Sequence, residues 1–74
     1  MKTKIGPARA TLDSRRVRIA RLSAGFDRAE DVAKRLGVKR ATYAHWELGT
    51  YRIPPRSLAK LARLLGVAES KLLA

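Results

Sequence analysis

The sequence predicts an all-α fold, a compact bundle of five short helices preceded by a basic arm. Three observations lead there. Apolar residues recur at helical spacing from residue 13 onward. Glycines punctuate that text where helices should stop. No segment alternates apolar and polar residues as a half-buried strand does. A chain of 74 residues has room for one core.

Residues 1–12, MKTKIGPARATL, show no period and carry Lys2, Lys4 and Arg9 around Gly6-Pro7. They read as a flexible basic arm that contacts a negatively charged partner, or as an untidy terminus without a role. Residues 13–74 are the domain. In the first helix Val17, Ala20, Arg21 and Ala24 share a face, and Gly25 ends it. Asp27 and Glu30 then fit a capping pattern, with a carboxylate three residues after the cap. Behind them Ala29, Val32, Ala33 and Leu36 form the stripe of a second helix, which Gly37 closes.

Only Val38 and Lys39 precede the third helical stretch, RATYAHWEL. Its inward residues should be Tyr43, Trp46 and Glu47, and Gly49 ends it. After the loop TYRIP, Pro55 suits the first turn of a fourth helix, where its missing N–H costs nothing. Leu58, Ala59, Leu61, Ala62 and Leu65 face inward there, and Gly66 is the stop. AESKLLA reads as a short fifth helix anchored by Leu72 and Leu73. The expected core is Val17, Phe26, Val32, Leu36, Val38, Tyr43, Trp46, Leu58, Leu61, Leu65, Val67 and Leu72. Leu12, Ile19 and Leu22 lie opposite the buried face of the first helix, and Leu64 and Leu73 are also off the main stripe. These are scattered surface apolars or a contact between two copies of the chain.

Charge narrows the function. Seventeen Lys and Arg against six Asp and Glu give a formal charge of +11. Such an excess costs stability through self-repulsion, so a densely negative partner, nucleic acid or an anionic membrane, accounts for it. Asp13, Asp27, Glu30, Asp31 and Glu69 stand where helices should begin, the end that favours negative charge. Glu47 is the exception. The rest of the surface is nearly single-signed, which suits a polyanion better than a protein.

Several classes drop out. Without cysteine there are no disulfides or thiolate metal sites. No apolar run is long enough to span a membrane, and Lys2 and Lys4 lead into no apolar stretch of a secretory signal. The expected location is cytoplasmic, on the nucleoid. One histidine and no spare acid–base pair argue against an enzyme. No cofactor is expected, and His45 has no second metal ligand at suitable spacing.

Residues 27–49, DRAEDVAKRLGVKRATYAHWELG, are the informative unit. Ala29 and Ala33 let another helix cross closely, and Gly37 permits positive φ at the turn. The next helix leaves Arg40, Ala41, Ala44 and His45 facing outward. A helix projecting in this way from a basic surface fits the major groove of duplex DNA.

This stretch resembles the phage-repressor/Cro-type helix-turn-helix family, also called the xenobiotic-response-element family. The resemblance spans about residues 14–73. It rests on Arg21, Val32-Ala33, Leu36-Gly37-Val38, Thr42-Tyr43, and Trp46-Glu47 with Gly49. Pro54 and the tail Leu58…Leu61-Ala62…Leu65-Gly66-Val67…Leu72 match as well.

The resemblance implies a structural ion pair between Arg21 and Glu47, and base contacts from Arg40, Ala41, Ala44 and His45. Arg40 would hold guanine O6 and N7 with its planar fork, worth roughly 1–3 kcal/mol of discrimination. The alanines would meet thymine methyls. His45 donates to a base or phosphate, or stays an exposed histidine without a role. Arg28, Lys39, Tyr51, Arg52 and Arg56 are phosphate candidates by charge and position. Arg56 also resembles a site of minor-groove approach. The family's usual dimer reads two half-sites about 34 Å apart, which implies a homodimer on a palindromic operator. Two features depart from the pattern. The segment Gly25–Arg28 is one residue longer than is common, without the usual glutamine, and Lys39 and Ala68 replace capping Ser or Thr.

The expectation is a sequence-specific transcriptional regulator, a small repressor or autoregulator that occupies its promoter. With no effector domain expected, dose is the natural control. Cro-like proteins and antitoxins that repress their own operon look alike at this level. A sequence-indifferent architectural or RNA-binding protein would need only the charge, but exposed aromatic platforms for stacked bases are lacking. The remaining class is an antitoxin-type module with a protein partner.

Overall fold

The computed structural model describes residues 11–74. Helix α1 (Ser14–Ser23) starts where Asp13, in extended backbone, accepts the Arg16 N–H on its carboxylate at 3.0 Å. That bond satisfies one of the first-turn donors that no helical carbonyl reaches. Then follow α2 (Ala29–Leu36), α3 (Arg40–Leu48) and α4 (Pro55–Leu65), and a single 3-10 turn over Glu69–Lys71.

The fifth helix expected over AESKLLA is therefore only that turn. Leu73 leaves it to form an antiparallel bridge with Leu12. The Asp13 N–H donates to the Leu72 carbonyl at 2.8 Å, and the Ala74 N–H to the Thr11 carbonyl at 3.0 Å. Backbone groups that a longer helix would have used are committed to this clasp instead. Leu12, grouped above with the arm and a surface stripe, is a core residue at 2% exposure. Lys2, Lys4 and Arg9 lie outside the described residues.

A second correction concerns the start of α2. Its N-cap is Arg28, with no side-chain bond, and Asp27 sits one residue too early to serve. Glu30 and Asp31 occupy the first turn and supply the negative charge.

Between α2 and α3 the chain reverses at Gly37, with φ 74° and ψ 30°. A side chain in this left-handed region costs roughly 1–2 kcal/mol. The Val38 N–H returns to the Ala33 carbonyl at 3.0 Å, so the turn caps α2 while launching α3. α3 lies chiefly against α2, and α4 packs against both α1 and α2.

The core joins Val17, Val32, Ala33, Leu36, Tyr43, Trp46, Leu58, Leu61, Ala62, Leu65 and Leu72 with Leu12 and Ile53. Phe26, Val38 and Val67 are only partly buried against it. The Arg35 guanidinium lies over the Phe26 ring, 5.6 Å from its centroid.

The two core residues not expected from the periodicity share one position. Leu12 precedes the cap of α1 and Ile53 the cap of α4, each five residues before a buried Val17 or Leu58. This is the hydrophobic staple, an apolar residue outside the cap set against one in the first turns. Val38 with Tyr43 and Val67 with Leu72 repeat the spacing at α3 and at the 3-10 turn. The staples fix the angle at which each segment enters.

Candidate nucleic-acid interface

α3 is held by one face. Tyr43, Trp46 and Glu47 are buried. Arg21 Nε donates to Glu47 Oε1 at 3.1 Å, and Arg21 Nη1 to the Phe26 carbonyl at 2.8 Å. The sequence-predicted pair is thus brought together inside the domain, tying α1 to the last turn of α3. The Tyr43 hydroxyl is within electrostatic reach of both charges but meets hydrogen-bond geometry with neither. Burial pushes its pKa well above the ordinary phenol range; the Glu47 charge and a poorly aligned hydrogen bond toward that carboxylate add to this, and Arg21 opposes it.

The opposite face is open. Arg40 and Ala41 are exposed in the first turn, and Ala44 and His45 are half-buried further along. Leu48, which the sequence reading passed over, is 64% exposed and extends the row Ala41–Ala44–Leu48. The spacing i, i+3, i+7 was the available signal. A row of small and apolar groups beside a guanidinium suits close approach to thymine methyls.

His45 and Tyr51 are brought together. Their rings stack with centroids 4.3 Å apart at 23°. Past Gly49 the chain folds back, and the Thr50 and Tyr51 N–H groups both donate to the His45 carbonyl, at 3.0 and 3.3 Å. Sequence reading gave these two residues separate tasks, because nothing in the spacing shows the loop returning over the helix.

Arg28, Lys39, Arg52 and Arg56 are all exposed, and Tyr51 is largely so. Their placement carries electrostatic meaning. Lys39 is the N-cap of α3 and Arg40 its first residue; Arg56 is the second residue of α4. Neither helix has an acid in its first turn or a side-chain cap. Cations at a helix N-terminus oppose the dipole, typically by 0.3–1 kcal/mol each. With the uncapped N–H groups beside them they form positive poles suited to phosphate oxygens.

A short turn between α2 and α3, a buried inner face on α3 and a basic, open outer face define a helix-turn-helix DNA-binding domain. A sequence profile described as helix-turn-helix matches residues 17–72, and the chain belongs to the phage-repressor/Cro-type helix-turn-helix family. It is a DNA-binding regulator of that type. No curated protein and no solved structure matches the chain. Among the described residues, no helix is long and apolar enough to cross a membrane.

Proposed function

We propose that the protein is a sequence-specific transcriptional repressor that occupies its promoter with α3 in the major groove. The observation that carries this reading is the fixed inner face of α3, which presents Arg40, Ala41, Ala44 and His45 as one outward surface. Arg40 reads guanine through O6 and N7, the alanines admit thymine methyls, and His45 donates at the far end of the row. Arg28, Lys39, Arg52 and Arg56 hold phosphates on either side and set the register. A sequence-indifferent binder would need charge alone. An ordered surface placing two alanines between a guanidinium and an imidazole goes beyond charge.

The operator is palindromic and is read by two copies, one per half-site. The support for a second copy is an open groove between α1 and the C-terminal turn, lined by Ile19, Ala20, Leu65 and Val67. Ile19 is 59% exposed at its edge. The same groove would admit the protein partner of an antitoxin-type module. Sedimentation separates the two: a dimer on operator DNA that Ile19→Asp dissociates supports the homodimer.

Selection of bound sites from random duplexes tests the main reading. Arg40→Ala should relax preference at one base position, and Arg52→Ala should weaken all sequences about equally. Equal losses across sequences for both variants would remove the assignment of α3 to base reading.

A further inference from the structure

We propose that Tyr51 is a positioning residue for base recognition. By stacking on His45 it sets the imidazole so that Nε2–H, and not Nδ1, is the donor offered to an acceptor on the base edge, guanine N7 or O6 foremost. This inference rests on the reading of α3 as the base-contacting helix.

The argument begins with the backbone. Because the His45 carbonyl accepts both the Thr50 and Tyr51 N–H groups, Tyr51 is placed over the helix end before its side chain contributes. Gly49, at φ 79°, makes that return possible. The Tyr51 ring then lies near-parallel to the imidazole at 4.3 Å. An offset stack of this kind restricts rotation about the final side-chain bond of histidine, which is otherwise broad.

The orientation has a chemical consequence. His45 Nδ1 is buried and has no hydrogen-bond partner among the described residues. A neutral imidazole carries one N–H and one lone pair. Placing the proton on Nδ1 would bury a donor with nothing to accept it, the rarer of the two kinds of unsatisfied group. The proton therefore belongs on Nε2. With the Nδ1 lone pair buried, His45 offers a base edge only its donor, matched to guanine N7 and O6 and opposed by the cytosine N4 amino group at the same position. Tyr51 meets His45 through its ring.

The test uses the full chain and a set of duplexes varied one base pair at a time around the selected site. His45→Ala and Tyr51→Leu should each lose about tenfold discrimination at one and the same base pair. The double variant should lose no more than either alone, and Tyr51→Phe should retain the discrimination. Replacing the guanine there with 7-deazaguanine should weaken the wild type and leave His45→Ala unchanged. His45 is the only histidine in the chain, so its nitrogen resonances are assigned without ambiguity. At mildly alkaline pH they should report the Nε2–H form in the wild type and a mixture in Tyr51→Leu. If Tyr51→Leu leaves the tautomer unchanged the proposal is wrong, and if it weakens every sequence equally the proposal is wrong and Tyr51 is a phosphate contact. Position-specific loss by Arg40→Ala in that case leaves the base-reading role of α3 standing, whereas its absence removes that as well.

Discussion

Arg21 in α1 and Glu47 in the last turn of α3 form a buried ion pair, Nε to Oε1 at 3.1 Å. It is the tie that holds the C-terminal end of α3 against the first helix. Removing one partner of such a pair typically costs 3–5 kcal/mol, because the other is left buried and unpaired. A domain below about 80 residues seldom nets more than roughly 3–5 kcal/mol from its core. Either truncation should therefore leave the domain largely unfolded. The two are not equivalent: Arg21→Ala strands both the carboxylate and the Phe26 carbonyl, whereas Glu47→Ala leaves Arg21 one acceptor. Urea denaturation followed by circular dichroism should rank Arg21→Ala as the worse. The apolar double variant Arg21→Met/Glu47→Leu should recover most of the loss.

Beside that pair lies the Tyr43 hydroxyl, buried and directed toward Glu47 but with no partner of good hydrogen-bond geometry among the described residues. An orphaned buried hydroxyl typically costs about 1–3 kcal/mol, so Tyr43→Phe should be neutral or stabilising at neutral pH. The pH dependence has a definite sign. The folded hydroxyl stays protonated well past the ordinary phenol range, while the unfolded chain ionises near pH 10. Stability is then fully present below about pH 10 and falls as pH rises further. Tyr43→Phe lacks this loss, so its advantage over the wild type should widen above about pH 10. A constant difference across that range would mean the hydroxyl ionises in the folded protein as it does in water.

Much of this arrangement is legible in the sequence, and the omissions have physical causes. Periodicity locates α1 to α4 and the inward Tyr43, Trp46 and Glu47, because those residues repeat at helical spacing. Leu12 and Ile53 escape a periodic search since they stand outside the helices whose caps they precede. The staple spacing would have found both. The fifth helix fails because Leu73 pairs across the chain with Leu12, a tertiary preference that no local pattern reports. The His45–Tyr51 stack is hidden for a similar reason: the backbone reversal after Gly49 creates it.

Gly49 also marks where the clasp of the chain presses on α3. A Cβ there would meet the Leu12 carbonyl oxygen at 3.1 Å and the Thr11 Cγ2 at 3.3 Å, at φ +79°. At Gly37 a Cβ meets nothing within 4 Å, though φ is +74°. Both alanine variants should bear the left-handed backbone cost of roughly 1–2 kcal/mol. Gly49→Ala should cost more, since the Leu12 backbone must move and loosen its bridge to Leu73. Thermal melts of the two variants give the comparison, and equal losses would show that the clasp yields freely.

Salt should act on this protein in two opposed directions. Seventeen cations against six acids along the chain repel one another, and screening at about 0.1 M salt shortens that repulsion to about 10 Å. The melting temperature of the free protein should therefore rise with moderate salt. Affinity for DNA should fall over the same range, by about 0.9 in log–log slope for each phosphate neutralised. The site makes the slope residue-specific. Arg52→Ala and Arg56→Ala, at the loop and the start of α4, should each lower it by about one. Arg18→Ala is the control, because Arg18 is exposed on α1 and lies on neither α3, the loop after it, nor the groove proposed for the second copy. Should Arg18→Ala reduce the slope as much as Arg52→Ala, the duplex is held by diffuse charge spread over the whole surface. The ordered face of α3 would then have no privileged place in binding.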